Sequence, residues 1–130
     1  MAVSQTKAAA IMAQNAADMT SHQVIALLLD GALERVSQAK HCISTGNKED
    51  KVVLFTKINA ILNGLRNCLN FNDGGDIADN LDALYLYMID RIKYTSTLEE
   101  YAVMNEVEKL LLEIKQGWDS ISSVEEAMSA

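Results

Sequence analysis

The sequence predicts an all-α protein, an antiparallel four-helix bundle, and three observations point there. Its 130 residues contain no proline, so nothing removes a backbone donor inside a long helix. Aromatic residues make up only 5 %, while Ala, Leu, Met, Glu and Lys, which lose little freedom in a helix, are plentiful. Apolar residues recur at threes and fours in four stretches, and none alternates along a β-branched run as a strand would.

The first stretch opens at Thr20-Ser21-His22-Gln23, where Thr20 and Gln23 are placed to form a capping box. Its inner face is Ile25, Leu28, Leu29, Ala32, Val36, Ala39 and Ile43, and Gly46 is a natural stop. The second starts at Asn47 as cap, with Glu49 and Asp50 favouring the positive helix end. It buries Leu54, Ile58, Ile61, Leu62, Leu65 and Leu69, and Gly74-Gly75 is expected to end it. The third starts at Asp76 as cap, with Ile77, Leu81, Leu84, Tyr85, Met88 and Ile92 inward. Thr97-Leu98-Glu99-Glu100 reads as a second capping box, opening a fourth face of Met104, Val107, Leu111, Ile114, Trp118 and Ile121. That spacing of threes and fours suits packing at a shallow crossing angle.

Helices of about 20 to 25 residues joined by short turns run antiparallel to their neighbours, as in a bundle. The expected organisation is a mobile or loosely docked N-terminal arm (1–19), the bundle (20–121) and a C-terminal tail (122–130).

Charge narrows the function. Lys plus Arg is 11 against 18 Asp plus Glu, a net charge of −7, which repels phosphate backbones and argues against nucleic acid. No apolar run approaches the roughly 20 residues of a membrane span, and the N-terminus lacks the apolar core of a secretory signal. Membrane insertion is not expected, and the cytoplasm is the default compartment. Cys42 and Cys68 fall tens of ångströms apart on adjacent antiparallel helices, at a rise of about 1.5 Å per residue. They are therefore free thiols, expected as small buried or half-buried fillers.

Convergent chemistry is scarce. His22 and His41 lack partners at zinc-binding spacing. Asn70 to Asp76 mixes oxygen ligands with glycine, but the twelfth position from Asn70 is Leu81, where a calcium loop needs a bidentate Glu. The glycines follow no strand and form no nucleotide cradle. Histidine phosphotransfer bundles carry an exposed helical His followed by Lys and Gly, whereas His41 is followed by Cys42 and lies at a helix end. No enzyme site, metal or cofactor is expected.

Surplus apolar surface is the positive signal. A bundle helix needs one stripe, yet Val24, Ile25, Ala26, Leu27, Leu28 and Leu29 are consecutive and must wrap around the first helix. Leu27 points nearly opposite the core. Ala83, Leu86, Tyr87 and Tyr94 make an outer stripe on the third helix, and Tyr101 and Leu112 lie off the inner face of the fourth. Such clustering suits a groove that receives amphipathic helices.

Three motifs resemble the flagellin-specific secretion chaperones of the FliS family. An apolar stretch runs into Asp-Gly-Ala at Val24 to Ala32. Gly74-Gly75 is followed by Ile77-Ala78, Asn80-Leu81, Leu84-Tyr85 and Tyr87-Met88. Glu106-Val107 is followed by Trp118. The order fits from Thr20 to Trp118, most of the chain. This resemblance implies a cytoplasmic export chaperone that wraps the disordered C-terminal segment of flagellin and blocks premature filament assembly. It would then present the subunit to components of the flagellar type III export gate. The expected groove residues are Val24, Leu27, Leu28, Leu86, Tyr87 and Tyr94, with Ile11 where the family's N-terminal arm carries a tyrosine. The alternative is a helical adaptor or chaperone of another secretion system with a different client.

Overall fold

The computed structural model describes residues 20–69 and 71–129, without the side chains of residues 21, 71–74 and 121–129. Four helices fill it: α1 (Ser21–Thr45), α2 (Lys48–Asn67), α3 (Phe71–Lys93) and α4 (Glu100–Ser129), with a short 3-10 turn at Thr97–Glu99.

Local chemistry sets most helix ends. At α1 the Gln23 amide donates to Thr20 Oγ1 at 3.2 Å, and the Thr20 amide to Gln23 Oε1 at 3.0 Å, the reciprocal pair of a capping box. Gly46 ends α1 in the left-handed region at φ 73°, its N–H returning to the carbonyls of Cys42 and Ile43. Asn47 caps α2 through the Asp50 amide at 3.2 Å.

Two expected boundaries are corrected. The second helix ends at Asn67, well before Gly74-Gly75. Arg66 reaches Asp82 at 2.7 Å, so the chain has already doubled back. Gly75 (φ 51°, ψ −124°) instead interrupts the start of α3, a conformation open to glycine alone. The non-helical residue in the cap position is therefore Gly75, not Asp76. The second capping box does not form either: α4 is preceded by the 3-10 turn, which has no side-chain cap bond. Glu100, the first residue of α4, instead turns inward to Lys51 at 2.7 Å in a largely buried ion pair.

Ion pairs also reveal the helix directions. Asp30 meets Lys115 at 2.9 Å and Lys40 meets Glu108 at 3.3 Å, so α4 descends as α1 rises. Lower still, Trp118 Nε1 donates to the His22 carbonyl at 3.0 Å while the two rings stack 4.3 Å apart. Arg91 meets Glu106 across the α3–α4 seam at 2.9 Å. Helix α1 packs on α2 and α4, and α3 on the same two, so α1 and α3 are not neighbours.

The core joins all four helices. Leu29, Ala32, Val36 and Ala39 meet Ile58, Leu62 and Leu65. Tyr85, Met88 and Ile92 pack with Val103, Met104, Val107 and Leu111. Ile77 is a correction: it is 69 % exposed, and Ala78 occupies the core position. Counting back from Ile92 by fours and threes through Met88, Tyr85 and Leu81 reaches Ala78, so geometry overrides the larger side chain. Cys42 is buried, as a filler should be, whereas Cys68 is exposed just past the end of α2.

Candidate functional site

The surplus residues divide between two helices. On α1, Val24 is half-buried, Leu28 packs against the core, and Leu27 is 41 % exposed. Leu28 therefore spends much of its surface on the fold, and Leu27 is the outward-facing residue of that run. On α3, Leu86 and Tyr87 are exposed, and so is Tyr94 just past its end, the most at 74 %. The two groups stand on different helices, α1 and α3, which are not packed side by side. Ile11 and the N-terminal arm fall outside the described residues, as does the side chain of Ile121.

Tyr87 has a second attachment. Its hydroxyl donates to the Glu106 carboxylate, whose oxygens lie 3.1 and 3.2 Å away, and Arg91 Nε donates to the same group at 2.9 Å. The Arg91 bond holds the Glu106 carboxyl below the ordinary carboxylate range against partial desolvation, and the Tyr87 hydroxyl adds to it. One Tyr87 edge thus braces the α3–α4 seam while the ring remains 45 % exposed. The Lys93 ammonium lies 5.3 Å from the Tyr94 ring and the Lys40 ammonium 5.4 Å from the exposed ring of Tyr101, cation–π contacts that leave the other ring faces open.

Sequence reasoning passed over Val52 and Val53, exposed on α2. The signal was present: Val52, Val53, Leu54 and Phe55 are consecutive, and four consecutive apolar residues also overrun one helical stripe. Among the described residues no group of three or more His, Cys, Asp or Glu side chains could hold a metal ion. No helix there is long and apolar enough to cross a membrane.

The arrangement is a helical bundle with apolar side chains exposed on α1, on α3 and just past the end of α3. Comparison with known proteins gives the chain a family. The model of the flagellar protein FliS family matches residues 4–125. This chain belongs to the FliS family. Among its FliS relatives, the flagellar secretion chaperone FliSB of Pseudomonas aeruginosa is 40 % identical over 121 residues, covering 93 % of this chain and 95 % of the relative. The flagellar secretion chaperone FliS of Vibrio cholerae is 37 % identical, covering 77 % and 74 %. That of Salmonella typhimurium is 38 % identical, covering 78 % and 76 %. FliS proteins are flagellar secretion chaperones and not enzymes.

Proposed function

We propose that this FliS-family chain acts in the cytoplasm and binds the C-terminal segment of a flagellin. It thereby blocks premature filament assembly and carries the subunit to the flagellar type III export apparatus. The observation behind this reading is the pairing of an outward apolar residue on α1 (Leu27) with others on α3 (Leu86, Tyr87) and just past its end (Tyr94), two helices that are not packed side by side. A compact partner would cover one patch; a segment disordered before binding can wrap around the bundle and reach both. Ordering that segment costs conformational entropy and moderates affinity, which suits a carrier that must release its cargo. The N-terminal arm, with Ile11, Met12 and Met19 among alanines, competes with flagellin near α1. A tethered segment docks at little entropic cost, so weak contacts suffice.

Isothermal titration calorimetry with whole flagellin, and with flagellin lacking its C-terminal segment, tests the reading. One-to-one binding is expected for the first and loss of binding for the second. Equal affinity for the two would overturn it. Removing residues 1–19 of the chaperone should raise affinity modestly in the same titration, and a severalfold loss would sink the competing arm.

A further inference from the structure

Ala83, Tyr87 and Tyr94 fall on one outer line along α3 and its exit. All three are exposed, and they are spaced four and seven residues apart. Tyr94 lies just past the helix end, but its amide still donates to the Asp90 carbonyl at 3.0 Å, so it keeps the helical phase. The two rings on this line are held differently. Among the described residues the Tyr94 hydroxyl has no hydrogen-bond partner, and its ring faces the ammonium of Lys93, its own chain neighbour, at 5.3 Å. Tyr87 is tied to another helix, its hydroxyl 3.1 and 3.2 Å from the oxygens of Glu106 on α4.

Glu106 is itself held. Arg91, one turn beyond Tyr87 on α3, donates through Nε at 2.9 Å, so two donors from one helix close on a single carboxylate of another. Hydrogen bonds to an ionised acceptor are the stronger kind. The Tyr87 side chain is therefore fixed at both ends, by its Cα on the helix and by its hydroxyl at the seam, while its ring stays 45 % exposed. Such a ring holds one orientation before any partner arrives.

We propose that Glu106 is a positioning residue for flagellin binding, acting through Tyr87, an inference that rests on the flagellin reading above and names the group that tunes its α3 surface. Two physical effects carry it. A side chain already fixed loses no rotamer freedom when a partner covers it, which favours binding by about two- to tenfold. An apolar segment laid over Tyr87 also strips water from the hydroxyl, and because that hydroxyl already donates to Glu106, no buried donor is left without an acceptor. Tyr94, on the same line without such a tie, must be ordered by the partner itself.

Variants of the full-length chain, titrated with flagellin by calorimetry, test the proposal. The Hα–Hβ couplings of residue 87, read by nuclear magnetic resonance on the free chain, report its side-chain rotamer. Tyr87→Phe keeps the ring and removes only the tie, and should weaken binding about threefold; a surface acting by apolar area alone would bind as before or better. Glu106→Ala should weaken binding about fivefold, with the couplings changing from those of one rotamer to an average. The double variant should bind no more weakly than Glu106→Ala, because both changes break one interaction. Glu106→Gln retains an acceptor oxygen and should stay within about twofold of the parent. Tyr87→Phe removes no core contact, so its result stands even where Glu106→Ala loosens the α3–α4 seam. Unchanged affinity in Tyr87→Phe and Glu106→Ala, unaltered couplings, additive losses, or Glu106→Gln as weak as Glu106→Ala would overturn the positioning role. Tyr87→Ala separates that failure from failure of the surface itself. A loss of more than about tenfold keeps Tyr87 on the flagellin surface however the other variants fall, whereas unchanged binding would remove it and the positioning role together.

Discussion

Leu27 and Leu62 are both helical leucines, but water touches one and not the other. Leu62 is fully buried among residues of the shared core, whereas Leu27 is 41 % exposed on the outer side of α1. Leu62→Ala should lower stability by about 2–5 kcal/mol, because the surrounding side chains close only part of the cavity. Leu27→Asp places its carboxylate in solvent and should leave the urea midpoint nearly unchanged while weakening flagellin binding. Leu86→Asp is expected to do the same from α3. Circular dichroism and calorimetry on the same samples separate fold from binding; unfolding by either surface variant would show that the inner and outer faces are misassigned. Leu27 was legible from the sequence, since six consecutive apolar residues exceed one stripe. Ile77 was not, because hydrophobicity favours it over Ala78 and only the helical register, fixed by neighbours already packed, places Ala78 inside.

At the scale of elements, helix ends show where local rules hold and where tertiary contacts override them. The capping box of α1 forms as its residues dictate, because Thr20 and Gln23 are exposed and nothing else claims their side chains. Thr97 to Glu100 has a similar pattern, but Glu100 is 5 % exposed and paired with Lys51 of α2. An ion pair shielded from water outweighs one exposed cap bond. Lys51→Met would leave the Glu100 carboxylate without its cation and should destabilise the protein by about 2–3 kcal/mol. The matched double variant, Lys51→Met with Glu100→Leu, should recover most of that loss. Urea denaturation of the three proteins checks both expectations, and a neutral Lys51→Met would show that the pair does not stabilise the fold.

For the whole molecule, alkaline pH gives a global readout of the packed core. Tyr85 is almost completely buried between the helices, and burial, with Cys68 nearby adding to it, pushes its phenol up to about 12. Below the ordinary tyrosine value near 10, the group is protonated both folded and unfolded, and its contribution to stability is fully present. As pH rises from about 10 to about 12, the unfolded chain ionises first and stability falls, by about 1.4 kcal/mol per pH unit at most from this group. Tyr85→Phe should flatten that slope in denaturation curves taken across the window; an unchanged slope would show that Tyr85 does not drive it. The sequence by itself determined the helical class, the number of helices and most of the inner stripes, since apolar period, absent proline and exposed caps are local properties. It also determined that apolar surface is in excess, because that is a count against one helical face. Only the tertiary structure decided that Leu28 belongs largely to the core, that Glu100 faces Lys51, and that Leu27 and Leu86 lie on helices that are not packed side by side. These depend on which helix lies beside which, and a burial or ion-pair energy exists only once two distant stretches of chain have come together.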